Sequence, residues 1–171
     1  KRRLLKFFDN GKVRDSKKLT VAAREKIFKE MAVQKSLGAV SYAVSFASAT
    51  VIDRKGISFA VKQALAKSLK ALGVEPSECR VLLDGGLGAP PEFISQRTII
   101  KGDEKESVIA LASVAAKVSR DCLMRKLAKK YPDYDLDIHK GYGTKAHYRK
   151  LKKHGLSQVH RRSFLKSFVG D

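Results

Sequence analysis

Apolar residues recur at helical spacing in several stretches of the chain and crowd into short runs in others. Thr20 stands ahead of a periodic stretch that runs to about Leu37 and meets Gly38. A hydroxyl N-cap at one end and a residue free to turn left-handed at the other predict a helix. In residues 39–52 the period changes, with Tyr42, Val44 and Phe46 alternating with Ala and Ser, which predicts a strand. Residues 58–72 return to helical spacing through Val61, Leu65, Leu69 and Leu72, stopping at Gly73. Arg80-Val81-Leu82-Leu83-Asp84-Gly85-Gly86 reads as a short buried strand whose last residue is Asp84. A loop with Pro90-Pro91 follows, then the apolar burst Thr98-Ile99-Ile100, ending at Lys101-Gly102-Asp103. Residues 104–129 predict one long amphipathic helix carrying Val108, Leu111, Ala115, Val118, Cys122 and Met124, ended by Pro132. Residues 144–154 predict a short helix closed by Gly155.

Strands alternating with helices point to an α/β domain, a sheet covered by helices, without fixing the strand order. No repeat or low-complexity linker divides the sequence, so residues 1–171 are expected to form one domain. At 171 residues with 43% hydrophobic content, a core of ordinary size is within reach. Charge changes the picture. Thirty-six Lys and Arg against seventeen Asp and Glu give a formal charge of +19, an excess that calls for an acidic partner, nucleic acid first and an acidic membrane surface second. A solvated basic surface is the bland alternative. Cys79 and Cys122 lack any paired ligand spacing and read as apolar residues of a reducing compartment. No stretch is long and apolar enough to span a membrane and no signal peptide is visible, so a cytoplasmic location is expected.

Two acids occupy special places: Asp84 at the end of a strand and Asp103 just before a long helix. In α/β folds, strand ends on one rim are where sites form, and two carboxylates there suit a hard, oxygen-seeking cation such as Mg²⁺. Taken singly, each has an ordinary explanation. Asp-Gly is a frequent turn pair, and an Asp ahead of a helix is a normal N-cap.

Longer words in the sequence add to this. Asp15-Ser16-Lys17-Lys18-Leu19, Leu83-Asp84-Gly85, Lys101-Gly102-Asp103 and Ala112-Ser113-Val114-Ala115-Ala116-Lys117-Val118-Ser119-Arg120-Asp121 occur in that order. His139-Lys140-Gly141-Tyr142-Gly143-Thr144, His154-Gly155 and His160-Arg161-Arg162-Ser163-Phe164 follow. This series, gaps included, resembles ribonuclease HII over nearly the whole chain. The resemblance implies a ribonuclease H-like fold, a central mixed sheet flanked by helices with a helical C-terminal part. It also implies four acids holding two divalent ions, Mg²⁺ or Mn²⁺. Asp84 and Asp103 match the third and fourth of these. The first two belong to an Asp-Glu-x-Gly-Arg-Gly motif on an opening strand, and that motif does not occur in these 171 residues. A fragment and a natural relic without that strand are both expected to look this way.

The resemblance further implies that Tyr142 stacks on the sugar of the nucleotide after a ribonucleotide, where a 2′-hydroxyl does not fit. Ser113 and Lys117, four apart on one helix face, are expected near the acids or a phosphate, with an ordinary surface lysine as the alternative. Ser16, Lys17, Lys18, Lys140, Arg161 and Arg162 are the expected phosphate contacts. From His139 onward Lys and Arg number nine, Asp171 is the only acid, and Tyr142, Tyr148 and Phe164 interleave. Residues 139–171 are therefore expected to form the basic substrate-binding part. The four histidines, His139, His147, His154 and His160, show no convergent metal spacing and are expected to orient loops or meet phosphates. The expected partners are RNA–DNA hybrids and duplex DNA with embedded ribonucleotides, met by a monomer. A two-metal endonuclease leads. A hybrid-binding module that cannot cut is the rival, because two of the family's carboxylates are missing. Generic basic RNA binding explains Asp84 and Asp103 poorly.

Overall fold

The computed structural model describes residues 19–168 in full and, of the segment before them, only the backbone of Phe8–Asp9 and Lys12–Val13. Those two short strands, β1 (Phe8–Asp9) and β2 (Lys12–Val13), pair antiparallel. Ser16, Lys17 and Lys18 lie outside the described residues.

Helix α1 (Val21–Ser36) begins where the sequence places it. The Thr20 hydroxyl accepts from the Ala23 amide, satisfying one of the donors that a helix start leaves open. Its end is a Schellman closure around Gly38 at φ +67°: the Gly38 amide donates to Lys35 O and the Ala39 amide to Gln34 O. Arg24, Ile27, Met31 and Gln34 form its buried stripe.

The strand expected over residues 39–52 is absent. Residues 39–48 carry no regular structure, and the remainder belongs to helix α2 (Ala49–Lys55), capped by the Ser48 hydroxyl on the Val51 amide. Alternation sorts side chains between two faces, but a strand also needs a neighbour for its backbone groups. Among the described residues nothing pairs with this segment. Its contacts run instead to α1: Tyr42 packs on Phe28 at 5.4 Å between ring centroids, and Lys35 Nζ donates to Tyr42 O. Helix α3 (Ile57–Leu72) follows and ends at Gly73, φ +64°.

Strands β3 (Val81–Asp84) and β4 (Gln96–Ile99) form a parallel pair in which Asp84 lies opposite Ile99. Only Leu83 of β3 is fully buried, with its neighbours half-buried. Gln96 holds the proline-bearing loop between the strands, donating to Phe93 O and accepting from the Ala89 amide. The long helix expected from residue 104 is in fact two. A single turn, α4 (Gly102–Lys105), closes when the Glu106 amide donates to Gly102 O. Glu106 is extended, at φ −124° and ψ 119°, and its carbonyl accepts the first bond of α5 (Ser107–Lys130) from the Ala110 amide. The buried face of α5 passes through Ile109, Ala110, Val114, Ala115 and Val118. Val108, expected on that face, is 57% exposed.

The last elements are α6 (Leu136–His139), preceded by a 3₁₀ turn at Pro132–Tyr134, and α7 (Lys145–His154), which is capped by the Thr144 hydroxyl on the His147 amide. Tyr134, Leu136 and Leu151 make a small core, with Met124, Leu127, Val159 and Phe168 among the residues packed on it. The Tyr134 hydroxyl donates to Gly155 O, tying that core to the end of α7. The chain divides into two compact units, Lys1–Ser45 with Lys62–Val118 and Phe46–Val61 with Ser119–Asp171. Among the described residues no helix is long and apolar enough to cross a membrane.

Candidate functional site

In the first unit, the two singled-out acids are placed by three consecutive residues. Strand β3 stops at Asp84 because Gly85 turns left-handed, at φ +62°. Strand β4, running parallel, delivers Lys101 in the left-handed region at φ 54°, and the chain enters α4 at Gly102. The Gly102 amide then donates to Asp84 Oδ1 at 2.8 Å. Asp103, the next residue, lies in the first turn of α4 and is 2% exposed. Asp84 is half-buried. Glycine at 102 spares Ile109 a shift. A Cβ there would stand 2.6 Å from Ile109 Cδ1 and 3.4 Å from Asp84 Oδ1.

Two carboxyl groups brought to one sheet end offer hard oxygen ligands, which suit Mg²⁺ or Mn²⁺ with water completing the shell. Among the described residues no group of three or more His, Cys, Asp or Glu converges to hold a metal. Two carboxylates supply hard oxygen ligands of the right kind for such an ion but are too few to make a cage for two. Ser113 and Lys117 are both half-buried, one turn apart on α5 in the same unit.

In the second unit, residues 139–144 make a tight turn. Lys140 and Gly141 are consecutively left-handed, at φ 53° and φ 73°. The Tyr142 amide donates to His139 O, and Tyr142 O accepts from the Thr144 amide. Tyr142 is 56% exposed. The Arg120 guanidinium stands 4.7 Å from its centroid and donates through Nη2 to Lys140 O, so a cation and an exposed aromatic face are offered together. Lys140 Nζ bonds the Asp137 carbonyl of its own turn. Arg161 stacks on Phe164 at 4.4 Å, and Arg162 is exposed.

Asp53 holds the segment that bears these two arginines. Its carboxylate accepts from the Arg162 amide, the Ser163 amide and the Ser163 hydroxyl. The Ser163 hydroxyl bond holds its pKa below the usual carboxylate value, aided by the two amides and the Arg162 charge and opposed by partial burial.

The histidines, scattered along the sequence, are gathered in space. Three of the four converge. His139 stacks on His147 with centroids 4.2 Å apart, and His147 Nε2 meets His160 Nε2 at 3.1 Å. All three are nearly fully buried. Burial, with the neighbouring His147, lowers the His160 pKa to about 4, and burial lowers that of His147. Arg120 beside Tyr142, the Asp53 clasp and this cluster escape a reading of spacing, because their partners lie up to 110 residues apart.

A family model described as Ribonuclease HII matches residues 1–167. A ribonuclease HII of Caldicellulosiruptor bescii is 42% identical over 157 residues, covering 92% of this chain and 73% of the relative. The corresponding protein of Trichormus variabilis is 42% identical over 154 residues, 90% of this chain and 66% of the relative. That of Desulfitobacterium hafniense is 45% identical over 150 residues, 88% of this chain and 55% of the relative. The chain thus spans between about half and three quarters of the length of these curated relatives.

Proposed function

The chain belongs to the ribonuclease HII family, and from that premise we propose that it carries part of the active site and the substrate-binding part of an endonuclease that cuts 5′ of ribonucleotides embedded in DNA and nicks RNA–DNA hybrids. The observation that carries this reading is the Gly102 amide bonded to Asp84 with buried Asp103 next in sequence, at the end of two parallel strands. The fold reading that goes with it is ribonuclease H-like.

Asp84 and Asp103 hold Mg²⁺ or Mn²⁺ in this proposal. A bound dication supplies Lewis acidity and charge neutralisation at the scissile phosphate, and two together suit in-line displacement. Gly102 fixes one oxygen of Asp84 through its amide, so that carboxylate does not have to be reoriented when a cation arrives. Water adds to phosphorus and the upstream 3′ oxygen leaves, giving a 3′-hydroxyl and a 5′-phosphate. Tyr142 offers its exposed face to the sugar after the ribonucleotide, where a hydrogen fits and a 2′-hydroxyl does not. Lys140, Arg161 and Arg162 of the basic C-terminal part, with Ser113, Lys117, Ser16, Lys17 and Lys18, contact the phosphate backbone. The absence of a third converging acid among the described residues favours a second reading, a hybrid-binding module that does not cut.

A duplex with one ribonucleotide separates the two. With Mg²⁺ or Mn²⁺ the protein should nick it 5′ of the ribonucleotide, and Asp84→Asn should abolish nicking while leaving binding within about twofold, since no phosphate contact is removed. Binding without nicking at every metal concentration would establish the module instead.

A further inference from the structure

The hydrogen bonds of the buried rings fix where each ring carries its proton. A carbonyl oxygen only accepts and an amide only donates. His147 Nδ1 lies 3.0 Å from Tyr142 O, so Nδ1 bears the hydrogen. His160 Nδ1 receives the Ser157 amide at 3.0 Å and has the Ser157 hydroxyl at 2.8 Å, so it bears none. The neutral His160 hydrogen is then on Nε2, facing the lone pair of His147 Nε2 at 3.1 Å. One unbroken sequence of donors results, from Ser157 through His160 and His147 to the Tyr142 carbonyl. His139 completes the frame. Its Nδ1 accepts the Gly141 amide, its Nε2 donates to Tyr134 O, and its ring stacks on His147.

These bonds clamp a turn that would otherwise relax. Lys140 has a Cβ yet sits at φ 53°, which costs about 1 kcal/mol or more and persists only where surrounding contacts enforce it. The turn ends in the one large aromatic that it presents to solvent, Tyr142.

We infer that His147 and His160 are positioning residues that act through the Tyr142 carbonyl, and that the protein's discrimination of a ribonucleotide junction depends on their neutral relay. The inference rests on the reading of Tyr142 given above. A proton added to His147 puts hydrogens on both facing Nε2 atoms, and one added to His160 puts an N–H at Nδ1 against the Ser157 amide, so either breaks the sequence. The groups around the cluster disfavour that proton: Arg120 stands over Tyr142, and Arg54 and Arg162 share a recess with His160. Tyr134 packs on His160, and His154 lies beyond Tyr134. Asp53, the one acid in that recess, is taken up by the Arg162 and Ser163 amides.

Two measurements test this. Ring ¹⁵N spectra at pH 7 should show both rings neutral, with hydrogen on Nδ1 of His147 and on Nε2 of His160. An imidazolium or the opposite tautomer at either ring overturns the relay. The second measurement is the ratio of affinities for a duplex with one embedded ribonucleotide and for the all-DNA duplex, taken with Ca²⁺ to prevent cutting. His147→Asn keeps a donor near the Nδ1 position and loses only the link to His160, so it should retain more of the ratio than His147→Gln. His147→Gln places its amide at the Nε2 position, leaves the Tyr142 carbonyl to the Thr144 amide alone, and should lower the ratio about fivefold, the equivalent of one neutral hydrogen bond. In a Tyr142→Ala background His147→Gln should have no further effect. An unchanged ratio in the Gln variant, or a further drop without Tyr142, overturns the positioning role. If Tyr142→Ala itself leaves the ratio unchanged, the junction reading of Tyr142 falls and takes the recognition claim with it, while the ring tautomers still decide the relay.

Discussion

Alanine at Gly102 tests how the acid pair is built. The added methyl would meet Ile109 Cδ1 at 2.6 Å, a distance that real Cβ contacts do not reach. Ile109 is 6% exposed, and its neighbours Ala110 and Val114 are fully buried, so Cδ1 has no solvent to swing into. Overpacking of this kind costs roughly 1–3 kcal/mol. At about 2 kcal/mol the melting temperature of a chain this long falls by roughly 4–8 °C. Ile109→Val removes the clashing atom itself and alone costs about 1 kcal/mol. With both changes present, the remaining contacts of the new methyl, 3.4 Å to Asp84 Oδ1 and 3.5 Å to Ile109 Cγ2, are ordinary. The double variant should then be only about 1 kcal/mol less stable than the parent, a favourable coupling of about 2 kcal/mol. Urea denaturation of the four proteins measures it. Metal-dependent nicking should follow the same order, lost in Gly102→Ala and regained in the double variant, because the Gly102 amide also holds Asp84. Losses that add to within about 0.5 kcal/mol would refute the packing argument.

Three other expectations follow from the second unit. His160 has a folded pKa of about 4 against an ordinary 6.5, so the unfolded chain binds more protons between those values. Its stabilising contribution is complete above pH 6.5 and lost as pH falls toward 4, amounting to at most about 3 kcal/mol. Urea midpoints at pH 7.5 and 4.5 should differ in the parent and converge in His160→Gln, and a flat parent profile would count against burial of a neutral ring. Asp53→Ala should speed hydrogen exchange at the Arg162 and Ser163 amides together, since one carboxylate holds both. Because the Asp53 pKa is lowered, this protection should survive down to the ordinary carboxylate range and fail only below it. Exchange that is unaltered in the variant would disprove the clasp. Arg162→Ala should weaken binding to hybrid and DNA duplexes alike and reduce the salt slope by about one phosphate contact, roughly 0.9. A change confined to the ribonucleotide-containing duplex would speak against a backbone contact.

Features whose physics is local could be read from the order of residues alone. Thr20 and Thr144 cap helices by bonding amides three residues on, and Gly38, Gly73 and Gly155 stop helices because each residue's own φ is positive. The ordered words around Asp84, Asp103 and Tyr142 were enough to identify the family, since they need no knowledge of what touches what. What depended on distant partners was not legible. Alternation at Tyr42, Val44 and Phe46 gave the faces of a strand but not the neighbour that a strand requires. Spacing gave one helix where Glu106 breaks it in two, and chose Val108 over Ile109 for the buried face. The histidines looked scattered because thirteen residues separate His147 from His160 along the chain, whereas packing leaves 3.1 Å between their rings. Side-chain chemistry travels with the sequence, but the burial that makes those rings neutral and aligned exists only once Tyr134, Ser157 and the Tyr142 turn have closed around them.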